Sequence, residues 1–173
     1  MAEKKKFFNV SIPILESDLS VLGTSIQNLE DKVIKYDLTR MLKGKNFVAT
    51  FIIKIKNNEA VAEIKSLRLA PSYIVRMMRN NISYVEDSFK CKAKDGNLRI
   101  KPYLLTRKRV HRSVRKALRN KTFEFVNEFC ADKTRDEVFS SIISSLLQKT
   151  LSLKLKKIYP LAMCEMRVVE LEK

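Results

Sequence analysis

The stretch from Leu98 to Lys121, LRIKPYLLTRKRVHRSVRKALRNK, carries the side chains with the clearest chemistry in the sequence. Its 24 residues contain ten Lys and Arg and one His, and neither Asp nor Glu. The whole chain has a formal net charge of +16, so this basic stretch holds much of the excess. Guanidinium and ammonium groups at this density bind phosphate, and Arg does so through paired hydrogen bonds. The residues concerned are Arg99, Lys101, Arg107, Lys108, Arg109, His111, Arg112, Arg115, Lys116, Arg119 and Lys121.

A solvated helix face is the ordinary explanation of a charged run, but such a face mixes acidic and basic residues at helical spacing. The basic stretch contains no anion of its own, so its cations repel one another unless an outside partner supplies negative charge. We therefore predict nucleic acid as the partner of the basic stretch. An acidic protein and membrane lipid are the alternatives.

Two elements are predicted to position these cations. Leu98 to Leu104 has strand character, and Pro102 predicts that the strand lies at an edge or ends there, because proline cannot donate to a ladder. Thr106 is a predicted N-cap, and a helix is predicted from about Arg107. Its apolar face is predicted to contain Val110, Val114, Ala117 and Leu118, with Lys108, Arg112, Arg115 and Arg119 on the opposite side.

Other basic residues are candidates for the same surface. Lys4, Lys5 and Lys6 form a basic N-terminal arm, residues 1–6, which is interpreted equally well as a frayed terminus or as an extension along phosphates. A short helix predicted from Pro71 to about Arg79 turns Arg76 and Arg79 away from its apolar side, which is predicted to be mostly core and contains Ile74, Val75, Met77 and Met78. Near the end of the chain the candidates are Lys154, Lys156 and Lys157.

The hydrophobic pattern predicts an α+β fold. We expect a mostly antiparallel, barrel-like sheet of about six or seven strands, a short central helix, two to three C-terminal helices, and a final strand that returns to the sheet. Asn57-Asn58 and Asp95-Gly96 are predicted hairpin turns, whereas 16–31 is predicted to be irregular. Strands are predicted near 7–14 and at 32–38, 47–56, 59–68, 82–94, 97–104 and 161–171, and a capping box at 134–137 opens a helix that runs past Leu147.

The composition bounds the class of protein. The 173 residues are 45% hydrophobic, which is consistent with a single domain, 1–173, that has a real core. The three cysteines show no C-x-x-C spacing, so neither a zinc site nor a disulfide framework is predicted. The longest uncharged segment, Val138 to Gln148, is too short to span a bilayer. We predict a cytoplasmic protein that does not bind a membrane.

The sequence gives no support for an enzyme, a cofactor or a metal site. His111 has no carboxylate near it in sequence that could orient it, and the three glycines are isolated, so no phosphate-binding glycine loop is predicted. An RNA-processing enzyme remains an alternative, and it would need a carboxylate cluster beside the basic stretch. No sequence-reading module is recognisable, so contacts to phosphate and sugar of folded RNA are expected.

Four segments, in order along the chain, resemble the archaeal and eukaryotic small-subunit ribosomal protein family called S-three-A-e or S-one-e. The longest is LRIKPYLLTRKR at 98–109, which is followed by a basic helix. The others are KKFF at 5–8 with Pro13, PSYIVR at 71–76, and KKIYPL at 156–161 with Glu165 and Arg167 in the strand that follows.

The resemblance implies a structural constituent of the small ribosomal subunit, with a barrel-like fold and no enzymatic role. It implies a place on the platform near the messenger exit, with small-subunit ribosomal RNA and neighbouring ribosomal proteins as partners. Messenger RNA or initiation factors are further possible partners, and no homo-oligomer is expected. The chain lacks the long tails of eukaryotic members, which favours an archaeal or reduced form. The alternative is a free-standing RNA-binding regulator of translation with the same fold.

Overall fold

The computed structural model describes residues 5–42, 44–56 and 59–172. Within them the fold is α+β, as predicted, with nine strands in place of the expected six or seven. The strands are β1 Lys6–Ile12, β2 Ser17–Gly23, β3 Val33–Asp37, β4 Phe47–Lys56, β5 Glu59–Leu69, β6 Tyr84–Glu86, β7 Phe89–Ala93, β8 Gly96–Thr106 and β9 Leu161–Leu171. The helices are α1 Pro71–Met77, α2 Arg112–Ala131, α3 Arg135–Ile143 and α4 Leu146–Leu155.

All nine strands belong to one branched sheet. Its main path runs β2-β1-β5-β9-β8-β6, while β4 pairs with β5 and β3, and β7 pairs with β8. β1 and β5 are parallel, and every other described pair is antiparallel. The predicted antiparallel character is therefore confirmed. The described strands do not close into a barrel, so that part of the expectation is wrong.

The strongest strand patterns give the best agreement with prediction. β4 and β5 form a long hairpin in which buried and exposed positions alternate, because one sheet face packs on the core. The predicted turn at Asn57-Asn58 lies outside the described residues. The Asp95-Gly96 turn joins β7 to β8 as predicted, and Gly96 has a φ of +149° that favours glycine.

The final strand, β9, lies in the middle of the sheet. It pairs with β8 along almost its whole length and with β5 at residues 66–68. The prediction that it returns to the sheet is confirmed. Within the described part of the chain, β9 is the strand that joins the β1–β5 part of the sheet to the β6–β8 part.

Three predicted strand or helix assignments are corrected. Residues 17–23, within the segment expected to be irregular, form β2, which pairs with β1 over seven residues. The single strand expected from Ile82 to Lys94 is two short strands, β6 and β7, that pair with different parts of β8. In α1 the buried residues are Tyr73 and Ile74, whereas Val75 and Met78, expected in the core, are exposed.

The helix expected to run through Leu147 is divided in two. Its predicted capping box is present: the Thr134 hydroxyl accepts the Glu137 N–H at 3.4 Å, and the Glu137 carboxylate accepts the Thr134 N–H at 2.9 Å. The helix that it opens, α3, ends at Ile143 because Ser145 adopts a left-handed conformation, with φ +60°. α4 then begins at Leu146 and packs against β9.

The long helix α2 packs across β6, β7 and α4. Its buried side is formed by Leu118, Thr122, Phe125, Val126 and Cys130, spaced for one helical face. The Phe123 ring meets the Phe89 ring of β7 edge-on at 5.2 Å between centroids. This packing fixes the direction in which the first turns of α2 project from the sheet.

The three cysteines are buried free thiols. Burial raises the pKa of Cys164 to about 12, and contact with Cys130 together with burial raises the pKa of Cys91. These two thiols therefore stay protonated near neutral pH, as side chains with a packing role do.

Candidate nucleic-acid interface

The basic stretch divides into two structural halves. The strand half, residues 98–106, lies in β8, and the helix half, residues 107–121, forms a loop and the first turns of α2. Contrary to expectation, Pro102 is not on an edge strand, because β8 pairs with β9 on one side and with β6 and β7 on the other. Pro102 is accommodated at a bulge against β9, opposite the gap between β6 and β7, where no ladder donor is needed.

The helix starts five residues later than predicted, at Arg112. Thr106 is not its N-cap: it is the buried last residue of β8, and its hydroxyl accepts the Ser83 N–H at 3.0 Å and lies 2.7 Å from the Lys108 carbonyl. The Ser83 hydroxyl accepts the Val110 N–H at 3.2 Å. Residues 107–110 therefore form a loop, tied by Ser83 to the segment that precedes β6.

His111 caps the helix. Its Nδ1 accepts the Ser113 N–H at 3.4 Å and lies 3.0 Å from the Ser113 hydroxyl. A ring nitrogen can accept in this way only when it is unprotonated. Three exposed cations follow in the first two turns, Arg112, Arg115 and Lys116, at the positive end of the helix dipole.

A groove of about 790 Å³ lies between the start of α2 and strand β6. We call it the basic groove. Four of its lining side chains are cationic, and no Asp or Glu is among the lining residues. The groove is lined by Tyr84, Val85, His111, Arg112, Ser113, Arg115, Lys116, Arg119 and Asn120.

The charges of the groove are poorly compensated. Across the described residues, no carboxylate forms an ion pair with Arg112, Arg115 or Lys116. Arg119, at the far end, lies 3.5 Å from an Asp87 carboxylate oxygen and donates to the Glu86 carbonyl at 3.2 Å. Arg112, Arg115 and Arg119 of the predicted cationic face thus line one groove, where Lys116 takes the place expected for Lys108.

In the strand half, Arg99 has a carboxylate partner. Arg99 donates to the Glu172 carboxylate at 2.7 Å, and Lys90 of β7 contacts the same carboxylate at 2.9 Å. These hydrogen bonds, from Lys90 first and then Arg99, hold the pKa of Glu172 below its usual 4.5. Lys101 is half-buried opposite Val168. The expectation that no anion relieves the repulsion is therefore wrong for Arg99.

At the C-terminal end of the basic stretch, the charge of Lys121 is also compensated. Lys121 contacts Glu124, three residues along the helix, at 2.8 Å, and this contact raises the pKa of Lys121. Lys108, expected on the helix face, lies in the exposed loop with Arg107 and Arg109. These three loop cations precede the basic groove directly in the chain. The predicted apolar residue Val110 is in the same loop, and Ala117 is exposed.

The remaining candidates do not line the groove. Lys5 and Lys6 are exposed at the start of β1, and Val10 pairs with Ala60 near the beginning of β5. β8 runs in the same direction as β5, so the N-terminal lysines lie at the opposite end of the sheet from the loop after Thr106. Lys4 is outside the described residues.

The other outlying cations are exposed at separate places. Arg76 lies over the Tyr73 ring at 5.3 Å, and Arg79 is in the segment between α1 and β6. Lys154 of α4 lies over the Phe125 ring of α2 at 4.2 Å. Lys156 and Lys157 follow at the end of α4 and are exposed.

Sequence reasoning missed the wall of the groove formed by β6. Tyr84 falls in the segment predicted as one strand, 82–94, with no sign of a functional role, yet it is 52% exposed and lines the groove. Ser113 and Asn120 were also missed, since they are polar residues between stronger cationic signals. The described residues contain no group of His, Cys, Asp or Glu suited to a metal ion. None of the helices in the described ranges has the length and apolarity needed to cross a membrane.

The model of the Ribosomal S3Ae family matches residues 2–173. The chain belongs to this family, a class of structural ribosomal proteins and not of enzymes.

Curated relatives agree with this assignment. A protein named small ribosomal subunit protein eS1 from Nanoarchaeum equitans is 28% identical over 91% of this chain and 84% of its own length. Proteins of the same name from Staphylothermus marinus and Haloarcula marismortui are 28% and 27% identical, over 93% and 98% of this chain and 80% and 84% of their own lengths. The family resemblance seen in the sequence and its archaeal type are confirmed.

Proposed function

We propose that this protein is a structural constituent of the small ribosomal subunit and binds small-subunit ribosomal RNA through the basic groove and the loop at 107–109. Membership of the Ribosomal S3Ae family supports the ribosomal role, and so do the relatives' names. The chain acts as one domain, since its core cluster includes residues from β1 through β9. Residues 1–6 serve as a basic arm, of which the described residues Lys5 and Lys6 lie at the other end of the sheet.

The observation that carries the RNA assignment is the uncompensated charge of the groove. Arg112, Arg115 and Lys116 lie near the start of α2, and a cation in its first turn is unfavourable by about 0.3–1 kcal/mol. Repulsion among them adds to this cost because no carboxylate of the described residues pairs with them. Phosphate removes both penalties at once, and Arg provides the paired donors that suit it.

The finer proposal follows the family resemblance. The protein occupies the platform of the cytoplasmic small subunit near the messenger exit and contacts neighbouring ribosomal proteins. Messenger RNA and initiation factors are further proposed partners, and the protein acts as a single copy. The exposed loop and the α2 side of the groove form one continuous segment, which suits contacts to phosphate and sugar along a folded RNA.

The test combines a charge reversal with measurement of assembly. Tagged wild-type chain and Arg112→Glu/Arg115→Glu are expressed in archaeal cells, and extracts are separated on sucrose gradients before and after a high-salt wash. We expect one wild-type copy per small subunit, retained through the wash. The reversed variant should be lost from subunits, with affinity for purified small-subunit RNA at least about 100-fold lower.

The matched control is Lys35→Glu/Arg40→Glu, which changes the net charge equally at exposed positions near the β3 edge. It should assemble normally. If the control and the groove variant lose RNA to the same extent, net charge and not the groove is responsible. If wild-type protein peaks in the free fraction or is released by salt, the structural role is wrong and the regulator takes its place.

A further inference from the structure

The basic groove contains an aromatic ring that phosphate binding alone does not use. Tyr84 lies on the β6 wall, across from the cations of α2, and its side chain is 52% exposed. Single exposed aromatic residues are common on protein surfaces and need no explanation. Tyr84 differs because it lines a concave site together with Arg112, Arg115 and Lys116.

The ring is held by a fixed backbone. Tyr84 pairs with Leu105 of the central strand β8, and the next residue, Val85, is 4% exposed. The preceding residue, Ser83, hydrogen-bonds to Thr106 and Val110. A platform anchored in this way loses little conformational freedom when a ligand stacks on it.

We propose that the basic groove holds an unstacked nucleotide of RNA, with its base on the Tyr84 ring and its flanking phosphates on Arg112, Arg115 and Lys116. This inference rests on the proposed function and defines its ligand more closely. A base stacked on an aromatic ring beside a cationic track is the general mode by which proteins hold single-stranded nucleic acid.

The position of the Tyr84 ring in the groove favours RNA with a bulged or single-stranded nucleotide. A base inside a continuous duplex has both faces covered by its neighbours and cannot reach Tyr84, whereas a bulged or single-stranded base can be turned outward. The groove volume, about 790 Å³, lies within the range of sites that enclose a small ligand, about 300–1,000 Å³. Stacking accepts any base, so the site recognises an exposed nucleotide without reading sequence.

The experiment compares two RNA hairpins that are identical except for one bulged uridine. Affinities are measured by fluorescence anisotropy with the purified full chain and with Tyr84→Leu, Tyr84→Phe and Arg112→Gln/Arg115→Gln. Wild type should prefer the bulged hairpin by about tenfold. Tyr84→Phe should keep that preference because it keeps the ring. Tyr84→Leu should lose it while binding the unbulged hairpin as wild type does.

Phe7→Leu is the matched control, because Phe7 is an aromatic side chain, 74% exposed, at the far end of the sheet. It should leave both affinities unchanged. A 5-bromouridine at the bulge should photocross-link to Tyr84, located by mass spectrometry.

The inference is overturned if wild type does not distinguish the hairpins, or if Tyr84→Leu weakens both equally or neither. In those cases the proposed function still stands, provided that Arg112→Gln/Arg115→Gln weakens binding to both RNAs. If the Arg variant binds both as wild type does, the proposed function itself fails. Circular dichroism melting of each variant shows that the comparison is made on folded protein.

Discussion

The two halves of the basic stretch, with two cations in the strand half and eight in the helix half, differ in how those cations are partnered. In the strand half, Arg99 is paired with Glu172, and Lys101 is half-buried. In the helix half, Arg112 and Arg115 have no carboxylate partner among the described residues and line a groove. Glu172 is far along the chain and reaches Arg99 because β9 pairs with β8. The density of charge in a sequence is therefore not the density of charge available to a ligand.

The boundary between compensated and uncompensated charge runs along α2. Arg119 contacts Asp87 and the Glu86 carbonyl, and the Glu86 carboxylate is itself paired with Arg167. One turn nearer the start of the helix, Arg115 has no such neighbour among the described residues. The loop between β6 and β7 thus supplies the acid that ends the cationic surface.

The largest effect is expected from a substitution that loosens α2 from the sheet. Leu118 is fully buried beneath the groove, and Leu118→Ala should destabilise the protein by about 2–5 kcal/mol because it removes packed atoms and leaves a cavity. Chemical denaturation measures the change. Leu153→Ala is the control, since Leu153 is 69% exposed and its loss should cost under about 0.5 kcal/mol. Equal losses at the two positions would show that α2 is not anchored as described.

Neutralising two cations in each half tests which half contributes to RNA binding. Arg112→Gln/Arg115→Gln should reduce the slope of log K against log salt for RNA binding by about 1.4–1.8, because each lost phosphate contact removes about 0.7–0.9. Arg99→Gln/Lys101→Gln removes the same formal charge and should change the slope little. The measurement is a salt titration with one small-subunit RNA fragment. A larger change from the strand pair would reverse the assignment of the two halves.

The smallest expected effect concerns the anion that compensates the strand half. The folded-state pKa of Glu172 is lowered, so its ionised form contributes stability above pH 4.5, and that contribution is lost as pH falls through the lowered value. Glu172→Gln should therefore show a shallower loss of stability on acidification than wild type. Thermal melts over acid pH measure this, with the exposed Glu30→Gln as control. Superimposable acid profiles for wild type and Glu172→Gln would show that the ion pairs with Lys90 and Arg99 contribute nothing.

Sequence patterns predicted the elements whose signals are local and strong. β4 and β9 were found with their observed bounds, because a run of β-branched residues and a proline stop define them. β2 was missed because Leu22 follows Val21 directly and interrupts the alternation that Leu19, Ser20 and Val21 begin. Pro102 led to the wrong strand position, since the gap between β6 and β7 that accommodates it depends on tertiary pairing.

The candidate site was predictable in its charge and not in its shape. The cations of the helix half are close together in sequence, so their common surface follows from their spacing along the chain. Tyr84 joins them only because β6 pairs with the end of β8, where Thr106 and Ser83 tie the two segments together. Contacts of this kind depend on strand order, which periodicity within one segment does not contain.

The central position of β9 in the sheet has a consequence for folding during synthesis. Among the described strands, only β9 connects the part of the sheet built by β1–β5 with the part built by β6–β8. During synthesis, both parts of the sheet should therefore each have an unpaired strand edge until residues 161–171 have left the exit tunnel. The nascent chain should need a chaperone or its RNA partner most during this interval, when open strand edges favour aggregation.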